Sequence, residues 1–466
     1  MTIHLSQWRF HGGKALLILM IGLLASCSTE HRSHYPTKNN LLPEEVTNDK
    51  QGSATLASIA VIEFDERGDY WDSGQVARAD KFISGKDEPI LVTYVHGWRH
   101  DARRDDSDLI SFRKFIKTMQ DGLRKPVCGV FIGWRGASVQ ESGIGALFSQ
   151  PSALLSFWGR KKITDQMAGV PFNNTLWRLA ATAKANNGHS ILIGHSFGGR
   201  IVERTLGPAA IAQMHNGKAM PYNLTFLINP ATESLYARQL KLALRQWKKT
   251  DQPAIVVLAA TNDTATGKAW PLALGIHTGT RDREYHFPVG SNPSFKESQK
   301  SYVTVTVGND ARQWTHEVLP VGQVSQDQKG AIVPKVTMTE DQVVTANLRN
   351  SSNDRSFWIR LRGDGETTAT RCSLRELPDT QAAHQIESNA YWVVPVNKDI
   401  LSGHGGIASD NGIFNNAMGD LMAGIIGATR AVKQDGAKVK PSLSGQAEKT
   451  DAPPQGLTLP RFVTPF

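Results

Sequence analysis

The chain has 466 residues, of which 40% are hydrophobic and 20% are charged, and its formal net charge is +9. This length predicts one large domain with insertions, or two domains, and the ordinary composition excludes a collagen, a coiled coil and a chain disordered throughout. The positive charge permits attraction to anionic lipid headgroups, but the basic residues are scattered, which favours a solvated basic surface over a nucleic-acid-binding patch.

The first 26 residues predict a lipoprotein signal peptide. Ala15 to Leu24 (ALLILMIGLL) follows two basic residues, is short for a membrane span, and fits the apolar region of a signal peptide. The following LASC resembles the lipobox of bacterial lipoproteins, which implies cleavage before Cys27 and lipidation of that residue. Ser28 after it, rather than Asp, implies outer-membrane sorting facing the periplasm. A plain secretory signal cut near Ala25 is the alternative.

Residues 27–53 are polar and unpatterned, which predicts a flexible tether. Order is expected to begin with the strand-like ATLASIAVIEFD. The apolar runs that follow are short and rich in β-branched residues, as is typical of strands buried on both faces of a parallel sheet. They are PILVTYVHG, VCGVFIGW, HSILIGH, YNLTFLINP and PAIVVLAAT. Helical spacing between such runs, as at 109–119, predicts an α/β fold with helices on both faces of the sheet.

Two insertions are expected within the α/β core, which comprises residues 54–310 and 385–433. Residues 137–187 are too long for a simple crossover, and their apolar, aromatic IGALFSQPSALLSFWGRKK predicts a helical cap over the carboxyl end of the sheet. An extra packed helix pair is the alternative. Residues 311–384 predict a β-rich insertion. The Pro-, Gly-, Ser- and Lys-rich residues 434–466 predict a mobile tail.

Besides Cys27, the sequence contains two cysteines. Cys128 lies in a strand-like run and is expected to be a free, buried thiol. A disulfide between Cys128 and Cys372 is the less favoured alternative in an oxidising compartment. The sequence has no C-x-x-C motif and no His/Cys cluster, so it gives no indication of a metal site.

The segment Gly194-His195-Ser196-Phe197-Gly198 matches G-x-S-x-G and lies between a strand-like run and a predicted helix. A sharp strand-to-helix turn strains the serine backbone and requires small residues two positions before and after it. The turn lifts the Ser196 hydroxyl above the sheet and places the Phe197 N–H where it can donate to an oxyanion. His195 is expected to point away and to be structural. A plain glycine-rich turn is the alternative.

A nucleophilic serine needs a base and an orienting acid, which in this chain order both follow it. Asp263 comes just after the strand-like AIVVLAAT and is the preferred acid. Glu233, after the previous strand, is the alternative, and it would otherwise cap a helix. Of the five later histidines, only His404 lies in a glycine-flanked loop between a strand and a helix, so we predict it to be the base. The others are His277, His286, His316 and His384.

The loop after PILVTYV contains His96, Gly97 and Trp98. Gly97 allows the backbone to approach a substrate closely, and the Trp98 N–H is the expected second oxyanion donor. A turn with a packed tryptophan is the alternative.

HGW (96–98), GHSFG (194–198), Asp263 and GHGG (403–406) together resemble the α/β-hydrolase family. The resemblance covers roughly 56–310 and 385–433. It implies that Ser196, with its proton taken by His404, attacks an acyl carbonyl, and that water activated by the same histidine releases the acid. No cofactor or metal is implied. More residues separate Asp263 from His404 in the sequence than in compact members of the family, and an insertion between strands would explain this difference.

These features predict a membrane-anchored serine hydrolase, a carboxylesterase or lipase that cleaves acyl esters of small molecules or lipids. The apolar segment at 147–158 is consistent with an acyl substrate. An acyltransferase or thioesterase is the close alternative. A non-catalytic envelope lipoprotein that acts as a binding module is the alternative from another class.

Overall fold

The computed structural model describes most of the chain between residues 33 and 431. The described stretches are 33–49, 52–123, 125–136, 151–215, 220–234, 236–237, 240, 244, 253–270, 306–309, 313–321, 335–338, 342–343, 346–347, 355–360, 368–377, 390–405 and 412–431. For residues 151–158 only the backbone is described.

Strands and helices alternate through most of this part of the chain. The strands are β1 (Leu41–Leu42), β2 (Glu45–Asp49), β3 (Gly52–Leu56), β4 (Ile59–Glu63), β5 (Ile90–Val95), β6 (Val127–Gly133), β7 (His189–His195), β8 (Leu224–Ile228), β9 (Ile255–Ala260), β10 (His316–Pro320), β11 (Lys335–Thr337), β12 (Ser356–Arg360), β13 (Thr368–Glu376) and β14 (Tyr391–Val396). The helices are α1 (Gly74–Ser84), α2 (Ser107–Leu123), α3 (Pro151–Met167), α4 (Val170–Ala185), α5 (Phe197–His215) and α6 (Asn416–Ala431).

Eight strands form the central sheet, in the order β1-β4-β6-β5-β7-β8-β9-β14. Neighbouring strands are parallel, except that β1 is antiparallel to β4 at one edge. The five apolar runs singled out in the sequence form β5 to β9. The prediction of an α/β fold with a mostly parallel sheet is confirmed. Because the strands are parallel, the loops after β5, β7, β9 and β14 all leave the sheet on the same side, where the C-terminal ends of the strands lie. We call this side the carboxyl edge, and the opposite side the amino edge.

Helices cover both faces of this sheet, because alternate residues of each strand enter different hydrophobic clusters. Val92 and Tyr94 of β5 pack with residues of α2 and α6 on one face. Leu91 and Val95 of the same strand pack with residues of α1, α4 and α5 on the other. Both faces are therefore buried, which explains why the strands appear in the sequence as uninterrupted apolar runs.

A second, antiparallel sheet lies within the segment predicted to be a β-rich insertion. β13 is its longest strand and pairs with β10, β11 and β12. The sheet is attached to α6: the Arg360 guanidinium of β12 donates to Asp420 at 2.8 and 2.7 Å. α6 also packs tightly on Phe357, since a Cβ on Gly424 would lie 2.4 Å from the Phe357 ring.

The prediction of a flexible tether as far as residue 53 is wrong for residues 33–49. This segment packs on the α/β core: β1 extends the central sheet, and β2 pairs with β3. Tyr35 and Leu42 are buried in the protein. The segment is polar in sequence, and it is ordered by tertiary contacts. These include hydrogen bonds to the Glu63 carboxylate at the end of β4 and hydrogen bonds from Arg113 of α2 to Glu45 and Pro43.

The predicted cap at 137–187 is wrong in its C-terminal part. α4 is the crossover helix between β6 and β7, and it buries Phe172, Leu176 and Leu179 on the face of the sheet. α3 lies over loops of the carboxyl edge, where Arg160 donates to Glu66 at 2.8 Å and to the Arg135 carbonyl at 3.0 Å. Residues 137–150 lie outside the described residues.

Cys128 and Cys372 are both free and buried, so the alternative of a disulfide between them is not observed. Burial raises the pKa of each thiol to about 12, which makes both unreactive near neutral pH. Among the described helices, none is long and apolar enough to cross a membrane. The predicted signal peptide, Cys27 and the tail at 434–466 lie outside the described residues.

Candidate active site

Ser196 is the single residue between β7 and α5, and its backbone is strained. Its φ of 55° lies in the left-handed region that side-chain-bearing residues rarely adopt. Three backbone hydrogen bonds hold this turn: the Ser196 N–H donates to the Ile228 carbonyl at 3.0 Å, and the Ser196 carbonyl accepts from Arg200 and Ala231 at 3.1 and 3.0 Å. The turn is thus fixed by α5 and by the end of the neighbouring strand β8.

The glycines around Ser196 are required by close backbone approaches. A Cβ on Gly198 would lie 2.1 Å from the Val95 carbonyl oxygen, and a Cβ on Gly194 would lie 2.8 Å from the Gly199 Cα. A Cβ on Gly199 would lie 2.9 Å from Pro230, in the loop after β8. Space for the turn therefore depends on all three glycines, with Gly199 setting the close approach of α5.

Ser196, His404 and Asp263 form one continuous hydrogen-bonded chain. The Ser196 hydroxyl lies 2.6 Å from His404 Nε2, and His404 Nδ1 lies 2.8 Å from Asp263 Oδ2. The residues follow β7, β14 and β9, so the parallel sheet brings them to one edge although they are far apart in sequence. The Asp263 side chain is fully buried, whereas His404 is 29% exposed.

Asp263 is held ionised by its surroundings. Burial alone would raise the pKa of the carboxyl group, but His404 and the hydrogen bonds from Thr266 outweigh it and lower the pKa to about 2. The backbone N–H groups of Ala265 and Thr266 donate to Oδ1 at 2.8 and 3.2 Å, and the Thr266 hydroxyl donates to Oδ2. An ionised Asp263 accepts the Nδ1–H of His404, which leaves Nε2 able to take the Ser196 proton.

The loop after β5 passes directly beside Ser196. A Cβ on Gly97 would lie 3.0 Å from the Ser196 Cβ. His96 orders this loop: its Nδ1–H donates to the Gly97 carbonyl at 2.9 Å, and its Nε2 accepts from the Trp134 N–H at 3.1 Å. Burial lowers the pKa of His96 to about 4, so the ring is neutral as these bonds require. Trp98 follows Gly97, and its ring contacts Phe197 with 6.4 Å between centroids.

Both predicted oxyanion donors are therefore near the Ser196 turn. Phe197 follows Ser196 in the chain, and Trp98 lies in the loop that passes beside it. Phe197 is the first residue of α5, where N–H groups point out of the helix end. The Trp98 N–H belongs to the loop that Gly97 brings against Ser196. This arrangement can stabilise negative charge on an oxygen bound near the Ser196 hydroxyl.

Side chains at the ends of three strands hold the His404 loop. His195 Nε2 donates to the His404 carbonyl at 2.7 Å, and Asn229 Nδ2 donates to the Gly403 carbonyl at 3.1 Å. Asn262 Oδ1 accepts from the Gly403 N–H at 2.9 Å. The structural role predicted for His195 is therefore a contact with the loop of the candidate base. The roles of Asn229 and Asn262 were not predicted from the sequence, where the only signal is an asparagine just after a buried strand.

Removal of the His195 donor is expected to slow any reaction that uses His404. Burial first, and His404 next, lower the pKa of His195 to about 3, so the ring stays neutral and keeps its bond at working pH. His195→Leu removes one hydrogen bond of roughly 0.5–1.5 kcal/mol, or about 2- to 10-fold in kcat, with KM unchanged. His195→Gln, which can still donate, is the control and should lose less. Equal kcat values for the leucine variant and the wild type would exclude this positioning role.

The alternative acid and bases lie elsewhere. Glu233 is bound by Lys161 at 2.9 Å and by Arg200, and these cations hold its pKa well below its usual range despite burial. This ionic cluster joins α3 to α5, because Asp165 of α3 also binds Arg200 at 2.9 Å. The His316 ring lies against Trp392, with 4.1 Å between the ring centroids and a tilt of 32° between the rings. The described contacts of Glu233 and His316 are thus outside the chain of hydrogen bonds that joins Ser196, His404 and Asp263. His277, His286 and His384 lie outside the described residues.

A buried charged cluster supports the turn that follows Trp98. His100 lies 3.3 Å from Asp106 and 3.8 Å from Asp108, and Tyr94 donates to Asp108 at 2.8 Å. Burial alone would lower the pKa of His100, but Asp108 and Asp106 outweigh it and raise the pKa to about 9. Asp101 adds to the same effect. His100 is therefore an imidazolium near neutral pH.

The His100 proton is expected to stabilise the fold below pH 6.5 and to be lost as the pH rises towards 9. A folded pKa above the unfolded value means that this contribution falls over that window, by up to about 3 kcal/mol. The melting temperatures of the wild type and of His100→Gln are measured from pH 6 to 10, and the difference between them reports the contribution of the His100 proton. The two curves should converge as the pH rises, and a constant separation would contradict the assignment.

Comparisons of the chain with family models, with curated protein sequences and with solved structures found no match. In the part of the chain that the structure describes, no group of three or more His, Cys, Asp or Glu side chains could hold a metal ion.

Proposed function

We propose that the protein is a membrane-anchored serine hydrolase of the α/β-hydrolase type that cleaves carboxylic esters. The observation that carries the proposal is the chain of hydrogen bonds from Ser196 through His404 to the buried Asp263. The order of the three residues, each in a loop after a parallel strand, supports the α/β-hydrolase assignment. The strained turn at Ser196 argues against a purely structural role, because strain of this kind persists where function requires it.

The proposed reaction begins with attack of Ser196 Oγ on the acyl carbonyl carbon. His404 Nε2 takes the hydroxyl proton, and the N–H groups of Phe197 and Trp98 bind the oxyanion. The tetrahedral intermediate collapses when the C–O bond to the alcohol breaks and His404 returns the proton to the leaving oxygen. Water then attacks the acyl carbon of the acyl-enzyme with His404 as base. The bond to Ser196 Oγ breaks as His404 returns the proton to Oγ, and the carboxylic acid leaves. Asp263 stays ionised throughout and stabilises the imidazolium.

Lipidation of Cys27 is part of the same proposal, and it places the protein in a bacterial cell envelope. The LASC sequence after an apolar run supports this assignment.

The proposed activity is tested with purified mature protein on p-nitrophenyl esters of increasing acyl length, on a thioester and on an anilide. Release of the acid, with a pre-steady-state burst of nitrophenol, is expected for the esters. Preferential acyl transfer to an added alcohol would instead identify an acyltransferase. Absence of turnover on every ester and thioester, in protein shown to be folded, would overturn the proposal in favour of a binding module.

A further inference from the structure

The N-terminal segment is clamped to the α/β core by a buried carboxylate. Glu63 accepts from the backbone N–H groups of His34 and Tyr35, both at 2.9 Å, from His34 Nδ1 at 2.8 Å and from the Ser33 hydroxyl. Gln75 Nε2 adds a bond at 3.2 Å. Burial would raise the pKa of Glu63, but these donors outweigh it and lower the pKa. An ionised carboxylate with several donors from residues 33–35 fixes this segment in place.

This clamp lies at the same edge of the sheet as the candidate active site. Glu63 is the last residue of β4 and pairs with Gly133 at the end of β6. From β4, the sheet order passes through β6 and β5 to β7, which leads into Ser196. Three interstrand spacings separate the two sites, or about 14 Å along the carboxyl edge.

Only five residues lie between Cys27 and the clamp at Ser33. Six residue steps span at most about 20 Å, whereas a free tether of residues 27–53 could have reached about 90 Å. An anchor at Cys27 would therefore hold the carboxyl edge close to the bilayer. The amino edge of the sheet, where β5 begins, is further away by the length of that strand, about 20 Å.

We propose that the carboxyl edge faces the lipid surface, so that Ser196 acts on acyl esters presented by the membrane itself. This inference rests on the proposed lipid anchor and esterase activity. The partner is a lipid bilayer, which the net positive charge of the sequence favours when the headgroups are anionic.

The position of α3 supports the same orientation. Arg160 binds Glu66, three residues after Glu63, so this part of α3 lies beside the clamp. The two helical turns before Arg160 carry the apolar sequence ALLSFW, residues 153–158. The backbone of α3 thus brings an apolar stretch of sequence to the edge that faces the bilayer in this proposal.

Energy transfer to the membrane tests the orientation without any assay of activity. A single cysteine, to be labelled with a donor fluorophore, replaces either Arg67 or Asp87. The Arg67 side chain is 83% exposed at the carboxyl edge, and Asp87 is exposed at the amino edge. Cys128 and Cys372 are buried and should stay unlabelled. With lipidated protein on vesicles that carry headgroup acceptors, transfer from Arg67→Cys is expected to exceed that from Asp87→Cys. Equal or reversed transfer would overturn the proposal.

A flexible 20-residue Gly/Ser insertion after Thr29 provides the second arm. It should abolish the difference between the two labels. Hydrolysis of a long-chain ester in the same vesicles should fall roughly tenfold, because local concentration falls with about the −3/2 power of tether length. Hydrolysis of a soluble short-chain ester should not change. The same insertion after Phe466 is the control and should affect neither activity.

The two arms separate the possible failures. Protein that does not bind vesicles would refute both the anchor and the orientation. A transfer difference without ester turnover would refute the hydrolase while supporting the orientation. Full activity on the vesicle ester after the insertion would refute the membrane-facing role.

Discussion

Ser196→Ala is expected to reduce kcat for ester hydrolysis by roughly 10⁴- to 10⁶-fold, because it removes the group that forms the acyl-enzyme. The residual rate would come from substrate binding and the oxyanion donors. The melting temperature should stay near that of the wild type, since the neighbouring backbone bonds of Ser196 involve its N–H and carbonyl rather than its hydroxyl. Kinetics on a soluble ester measure the loss.

Ser402→Ala is the matched control for this prediction. Ser402 lies in the His404 loop, and within the described part of the chain its hydroxyl accepts one long hydrogen bond, of 3.4 Å from Asn262. Its alanine variant should keep nearly all activity. Comparable loss in both variants would point to damage of the loop rather than to removal of a nucleophile, and full activity of Ser196→Ala would exclude Ser196.

Asp263→Asn is expected to lower kcat by roughly 10³- to 10⁴-fold without unfolding the protein. Two backbone N–H groups, of Ala265 and Thr266, point at Oδ1. The amide oxygen of the asparagine will take that position, which turns the NH₂ group towards His404. His404 Nδ1 then accepts instead of donating, Nε2 carries the proton, and the ring can no longer take the proton of Ser196.

Glu233→Gln is the variant to compare with Asp263→Asn, because the sequence offers both carboxylates as candidates for the acid that orients His404. Glu233 balances Lys161 and Arg200, so its loss should lower the free energy of unfolding by about 3–5 kcal/mol, the usual effect of breaking a buried ion pair. Its kcat should stay close to the wild-type value below the melting transition. Loss of kcat in Glu233→Gln with Asp263→Asn active would reverse the assignment of the acid.

The sequence was informative wherever burial leaves a pattern. The runs that became β5 to β9 are apolar because both faces of the sheet are covered. Ser196, Asp263 and His404 could be named because each stands in a loop after such a run, and parallel strands bring those loops to one edge. Their contacts could not be derived from sequence, since the distances depend on how each loop folds back.

The sequence-based predictions that are wrong have a common cause. In each case the structure depends on contacts between residues that are far apart in sequence. Residues 33–49 look like a tether because their order depends on Glu63 and on the sheet edge, not on their own apolar periodicity. The predicted cap includes α4 because residues 137–187 together are too long for a simple crossover, and only packing shows that α4 is the crossover helix. His195 and Asn229 act through side-chain hydrogen bonds to backbone groups, which leave no periodic signal.

Mapping the adduct of a fluorophosphonate probe tests the central claim most directly, because such probes react with serines activated by a neighbouring base. If Ser196 is the nucleophile, a single adduct is expected on the peptide that contains it. That adduct should be absent from Ser196→Ala and should form much more slowly in His404→Ala. A folded wild-type protein that forms no adduct, or forms it on another residue, would contradict the account.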